Sequence, residues 1–187
     1  MGKRAIDPAD IEALYSFFAT KACETFNERK ECRPQLACIL LGEQLRDIAG
    51  MMMVDPRLVN ALQENGRTKD ALMILIRILL AGNVGAEGFG IEPMQEPPDA
   101  IVHVTEGWAL EGDGHSPTDV LGGYEKVSDH PKRTEVIMVT VHTKERSYAG
   151  VSRVTGIGKA RTATPGPLLS GGHIDGRLIQ QGEHDTH

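Results

Sequence analysis

Apolar residues recur at helical spacing in two stretches of the chain. The first follows Asp7 and Pro8, which suit the cap and the first position of a helix. Its apolar positions are Ile11, Leu14, Phe18, Ala22 and Phe26. The second runs from Lys69 to Ala81 and stops at Gly82, a residue that commonly follows a helix. Because it is apolar nearly all round, it predicts a helix buried on several sides at the centre of the fold.

Short apolar or alternating runs predict five strands. They are Gln35–Leu41, Gln44–Val54, Ala100–Leu110, Thr134–Thr143 and Ser147–Thr155. The gap at Gly42 and Glu43 predicts a tight hairpin turn. The run Met51–Met53 predicts a filler of an irregular core gap, and the alternative is an adaptable binding surface. Arg57–Gln63 predicts one or two helical turns.

The order of these elements predicts an α+β fold, with two helices packed on a mainly antiparallel sheet of about five strands. We expect one domain over residues 1–155. From Gly156 onward, seven of the last 32 residues are glycine. Residues 156–187 are therefore predicted to form an extended, partly disordered tail.

Composition narrows the possible partners. The net charge is -6 and aromatic residues are only 4% of the chain, which disfavours nucleic acid and anionic membranes as partners. Arg77 interrupts the longest apolar run, so no membrane segment is expected. The chain has an odd number of cysteines, Cys23, Cys32 and Cys38, and their spacing is not that of a zinc site. We therefore expect buried free thiols in a cytoplasmic protein.

Motifs for common cofactors are incomplete. Gly156-Ile157-Gly158-Lys159 resembles part of a phosphate-binding loop, but Arg153 stands where the first glycine belongs and Ala160 where a hydroxyl belongs. No cofactor is predicted.

Two histidines form one candidate site. If the strands at 100–110 and 134–143 pair, His103 and His142 share a face. Asp113 and His115 in the following loop would complete a metal site able to activate water. The alternative is a polar, solvent-facing side of the sheet.

Glu106 lies on an otherwise apolar strand face, two residues from Trp108. A carboxyl group there would have a raised pKa and would suit general acid–base chemistry. The alternative is a structural ion pair with Arg133 or Arg153.

Three motifs add a resemblance. They are Glu106-x-Trp108, Asp129-His130-Pro131-x-Arg133-x-Glu135 and Gly176-Arg177-Leu178. Together they resemble a pattern in small uncharacterised bacterial and bacteriophage proteins. The resemblance implies such an origin and no known activity. It also implies that Glu106, Trp108, Arg133, Glu135 and Arg153 lie together.

These observations predict a small, non-catalytic binding or regulatory module. Its partner would be another protein or a second copy of the chain, most simply in a homodimer. Two alternatives stay open. One is a metal-dependent hydrolase that uses the strand histidines and loop carboxylates, and the other is a phage-encoded inhibitor of a host protein.

Overall fold

The computed structural model describes residues 5–64, 69–82, 86–91, 96–110, 127–169, 173–175 and 178–180. Its helices are α1 (Pro8–Arg29), α2 (Pro56–Glu64) and α3 (Lys69–Ala81). Its strands are β1 (Gln35–Leu41), β2 (Ile48–Met53), β3 (Ala100–Ala109), β4 (Thr134–His142), β5 (Ser147–Thr155), β6 (Thr162–Ala163), β7 (Leu168–Leu169), β8 (His173–Asp175) and β9 (Leu178–Gln180). The predicted α+β class is confirmed.

The described strands form one antiparallel sheet in the order β2-β1-β3-β4-β5-β6, with β7 also paired to β5. The strands β8 and β9 form a separate hairpin. The described residues thus contain three helices and a seven-stranded sheet, more than the predicted two helices and five strands. The third helix, α2, extends the one or two helical turns predicted at Arg57–Gln63 to nine residues. The added strands β6 and β7 have two residues each, a length that carries no periodicity of its own.

Helix α1 covers one face of the sheet. Its start is fixed by a capping box, in which the Asp7 side chain accepts the Ala9 N–H and the Asp10 side chain accepts the Asp7 N–H. The buried Asp10 carboxylate also accepts the Arg46 N–H at 2.7 Å, which ties the β1–β2 turn to the helix. The apolar face of α1 packs on alternate residues of β1, β3 and β4, among them Ile39, Val102 and Val139.

Helices α2 and α3 cover the other face of β1 and β3. Leu75, Ile76 and Leu79 of α3 pack there with Leu36 and Ile101. Ile74 is 50% exposed and Met73 37% exposed, so α3 is an outer helix with one buried side. The prediction of a central helix buried on several sides is wrong, because only one side of α3 meets the sheet.

The β1–β2 hairpin differs from its prediction in turn length and burial. Its connection spans residues 42–47, not two residues, and closes where the Gly42 N–H donates to the Asp47 carbonyl at 2.8 Å. Met51 and Met53 are largely exposed, not core fillers. The reason is tertiary: β2 is the edge strand, and α1 lies mainly over the inner strands β3, β4 and β5.

Residues 156–169, the described start of the predicted tail, lie against the body of the protein. Asn27 at the end of α1 accepts the Ala163 N–H and donates to its carbonyl. The Tyr15 hydroxyl donates to the Gly166 carbonyl at 2.8 Å. Through β6 and β7, this segment covers the outer edge of β5. The predicted disorder of the last residues concerns Gly182–His187, which lie outside the described residues.

Candidate functional site

The strand register brings four of the five predicted cluster residues to one end of the sheet. Trp108 on β3 lies opposite Glu135 on β4, and Glu106 shares that face. The guanidinium of Arg133 stacks over the Trp108 ring, 4.8 Å from its centroid. Arg153 is exposed and lies opposite Val136, so its side chain belongs to the other face of the sheet.

Arg161, which the sequence reasoning missed, is a second cation of this cluster. Its guanidinium forms an ion pair with Glu135 and donates to the Lys30 carbonyl at 2.5 Å. It also lies 5.1 Å from the centroid of the Phe26 ring. No local signal could have revealed this pairing, because Arg161 and Glu135 are 26 positions apart and meet only when residues 156–163 fold back on α1.

Glu106 does not take the predicted arginine partner. Its carboxylate accepts the Cys32 N–H at 2.8 Å. Burial raises the pKa of Glu106, and the neighbouring Glu135 carboxyl raises it further, while the Cys32 N–H and Arg161 oppose the shift. The polar groups of Glu106, Glu135 and Arg161 are therefore joined to protein partners, an arrangement that fastens β3 and β4 to the end of α1.

The two candidate metal ligands, His103 and His142, lie on the sheet face opposite α1. His103 pairs with Thr140 and His142 with Ile101, so the two imidazoles are diagonal neighbours. This part of the face is covered, not solvent-facing, since Thr140 and His142 are only 8% and 6% exposed. Burial lowers the pKa of both histidines to about 4, and the charge of His142 also lowers that of His103. Both imidazoles are neutral at pH 7.

A third ligand is not found near this pair in the part of the chain that the structure describes, where no three His, Cys, Asp or Glu side chains converge. The predicted loop ligands Asp113 and His115 lie outside the described residues. A transition metal binds the neutral form of imidazole. His103 and His142 therefore provide two of the three or four ligands that such a site needs.

A cleft of about 500 Å³ opens beside His142, between α3 and the β4–β5 turn. The His142 Nδ1 lies 2.7 Å from the Ser147 hydroxyl oxygen. The His142 Nε2 is buried without a hydrogen-bond partner among the described residues. The cleft was not predicted, because its two walls are about 65 residues apart in the chain.

Besides the cleft, the outer edge of β2 is exposed. The Val54 N–H donates to the Leu36 carbonyl at 2.9 Å. Because inward and outward backbone groups alternate along an antiparallel strand, those of Met51 and Met53 point away from β1. Their side chains are 52% and 44% exposed on the α1 face of the sheet. Ile48 and Phe17 continue this apolar surface and border a groove of about 130 Å³. We call the surface formed by Phe17, Ile48, Met51 and Met53 the β2 patch.

Comparisons of the chain with protein-family models, curated proteins and solved structures find no match. Among the described helices, none has the length and apolar character needed to cross a bilayer. Function is therefore inferred from the geometry of the cleft and of the β2 patch.

Proposed function

We propose that the protein is a non-catalytic binding module that works as a homodimer joined through strand β2. The observation that carries this proposal is the open, apolar edge of β2. It presents the outward backbone groups of Met51 and Met53 together with the side chains of the β2 patch.

An open strand edge carries a row of hydrogen-bonding groups that another strand can satisfy. The protein covers the edge of β5 with β6 and β7, while β2 pairs with β1 alone among the described strands. Edge strands are usually protected by lysine, proline, an inward-pointing charge or a β-bulge. The sequence of β2, Ile-Ala-Gly-Met-Met-Met, contains no lysine, proline or charge. Its register with β1 shifts between Ile48 and Gly50, while Gly50–Met53 pairs regularly and offers an unbroken edge.

The lack of charge on β2 permits a second copy as the occupant. Two chains of net charge -6 repel each other over most of their surfaces. The strand Ile48–Met53 has no charged residue, so two identical copies can approach there without a like-charge contact between the paired strands. Antiparallel pairing about a two-fold axis would satisfy outward groups on both copies and bury both methionine rows.

Sedimentation equilibrium and native mass spectrometry test the interface. We expect the wild-type protein at micromolar concentration to have twice the chain mass of 20.3 kDa. The double variant Met51→Lys/Met53→Lys should be a monomer, because it places two charges on each copy of the paired edge. Ile74→Lys is the matched control, since Ile74 is equally exposed but lies on α3; it should stay dimeric.

Circular dichroism establishes that each variant is folded. A monomeric wild type over the whole concentration range would overturn the proposal, and so would a folded double variant that remains dimeric.

A metal-dependent hydrolase is the second candidate, favoured by the shared face of His103 and His142. On this proposal, native mass spectrometry with added Zn²⁺ should show one ion per chain. The ion should be lost in His103→Ala and His142→Ala and retained in His130→Ala, which changes a half-buried histidine outside the β4 strand. Equal Zn²⁺ retention in all three variants would rule out this site.

A further inference from the structure

Three of the seven methionines of the chain are consecutive in β2. Because side chains alternate along a strand, Met51 and Met53 lie on the α1 face of the sheet and Met52 lies on the opposite face. Met51 and Met53 are 52% and 44% exposed, whereas Met52 is half-buried and packs against the core beneath α2 and α3. The run therefore contains two open thioethers with a covered one between them.

The backbone of β2 restricts how a second copy can pair with it. The outward groups belong to Met51 and Met53, and the stretch Gly50–Met53 is free of a register shift. Antiparallel pairing of this stretch about a two-fold axis places Met52 opposite its own copy and Met51 opposite Met53 of the second copy. Since opposed residues have Cβ atoms about 4.5–5.5 Å apart, the four open thioethers would lie together on one face of the joined sheet.

A cluster of thioethers is chemically vulnerable in one way. A hydroperoxide oxidises a thioether by two electrons to a sulfoxide: the sulfur lone pair attacks a peroxide oxygen, an S–O bond forms and the O–O bond breaks. With hydrogen peroxide, the departing oxygen takes up a proton and leaves as water. The sulfoxide oxygen is a polar acceptor, and the methionine side chains that would face it contain no hydrogen-bond donor. Burying it between the two copies is therefore unfavourable.

We propose that Met51 and Met53 are reversible oxidation sites, and that their conversion to sulfoxides by a hydroperoxide separates the two copies of the chain. This inference rests on the proposed dimer and names its regulation. Pairing covers both sulfurs, so they react in the separated copy, and the sulfoxides then keep that copy from pairing again. Methionine sulfoxide reductases, which act on the two epimers of the sulfoxide, would regenerate the thioethers and with them the dimer.

Treatment with hydrogen peroxide, followed by native and peptide mass spectrometry, tests the proposal. Met51 and Met53 should each gain one oxygen atom before Met52 does, because oxidation follows exposure. The dimer Kd should rise at least about a hundredfold, since each of four buried sulfoxides without a donor should weaken binding on the order of tenfold.

The dependence of the oxidation rate on protein concentration tests whether pairing covers the two sulfurs. With peroxide in excess, Met51 and Met53 should react more slowly as the protein concentration rises, because a smaller fraction of the chains is then separated. Met73 is 37% exposed on α3, away from β2, and should react at the same rate throughout.

Two variants show which sulfurs are responsible. Met51→Leu/Met53→Leu keeps apolar side chains of similar volume and removes both thioethers, so it should be dimeric before and after peroxide treatment. Met73→Leu is the matched control, since it removes an exposed thioether outside β2; it should dissociate on oxidation as the wild type does. Circular dichroism establishes that oxidised and variant proteins are folded, and reductase treatment of the oxidised wild type should restore the dimer.

The possible failures are distinguishable. A dimer that persists after complete oxidation of Met51 and Met53 would refute the oxidation switch and leave the proposed interface intact. Oxidation of Met52 as early as its neighbours, or dissociation of the peroxide-treated Met51→Leu/Met53→Leu variant, would likewise refute only the switch. A wild type that is monomeric before any oxidant is added would refute the proposed function itself, and the switch with it.

Discussion

At the scale of single residues, buried polar groups decide how the chain is fastened together. Asp10 is fully buried and serves both its own helix and the β1–β2 turn. Arg161 joins Glu135 to the end of α1. Glu106 differs from them, because burial and the neighbouring carboxyl both disfavour its charged form.

Glu106 should make stability fall as pH rises. Its pKa in the folded protein is above that in the unfolded chain, so the stability it contributes is complete below the unfolded value and is lost as pH rises through the folded value. Glu106→Gln keeps an oxygen that can accept the Cys32 N–H and removes this titration. Urea unfolding between about pH 5 and pH 8 should therefore show a smaller loss of stability in the variant than in the wild type.

Glu31→Gln is the control for this series, since Glu31 is exposed and pairs with Arg33 at the surface. It should keep the wild-type pH dependence. If Glu106→Gln keeps it as well, the carboxyl of Glu106 is not the group responsible.

At the scale of elements, the junction of α1, β5 and β7 depends on close approach. A Cβ atom at Gly150 would lie inside van der Waals contact of the Tyr15 hydroxyl and the Pro167 carbonyl. The Tyr15 hydroxyl lies there because it donates to the Gly166 and Pro167 carbonyls. The absence of a side chain at position 150 therefore lets residues 166–169 lie against both α1 and β5.

Gly150→Ala should lower the free energy of unfolding by roughly 1–3 kcal/mol, the usual cost of an extra methyl group in a packed site. Gly107→Ala is the matched control, because Gly107 is also a strand glycine and a Cβ there would meet nothing within 4 Å. Its change should stay within about 0.5 kcal/mol. Equal losses in the two variants, measured by urea unfolding, would contradict the role of the junction.

At the scale of the whole molecule, the sheet separates two apolar cores. Cys23 and Cys32 belong to the α1 side and Cys38 to the side of α2 and α3. All three thiols are free and buried, as predicted. Burial raises the pKa of Cys38 to about 11 and that of Cys32 to about 12, and the charge of Glu106 adds to the shift of Cys32.

Native-state alkylation should distinguish the two cores. At about pH 8 Cys32 and Cys38 should react at least roughly a hundredfold more slowly than in urea, because a pKa two or more units higher leaves about a hundredth of the thiolate or less. Cys38 should react before Cys23, since the core over it contains fewer buried apolar residues and should open at lower free energy. Peptide mass spectrometry measures the order; identical rates at all three sites would mean that only global unfolding exposes them.

The local pattern predicted much of the secondary structure. The observed bounds of β1, β5 and α3 are those predicted, since turn residues and side-chain periodicity are encoded within a few positions. The shared face of His103 and His142 also follows from strand alternation once β3 and β4 pair. The ion pair of Arg161 with Glu135 could not be predicted, because it depends on how a distant segment returns to α1.

The sequence by itself determined the α+β class, three buried thiols and the positions of the long elements, because hydrophobic periodicity and backbone hydrogen bonding act over short distances. The tertiary structure alone decided which side chains are covered. Met51 and Met53 are exposed because α1 lies over other strands, and β6 and β7 exist as strands because β5 offers them an edge. Burial is a property of what packs above a residue, so the β2 patch and the His142 cleft emerge only when the layers are in place.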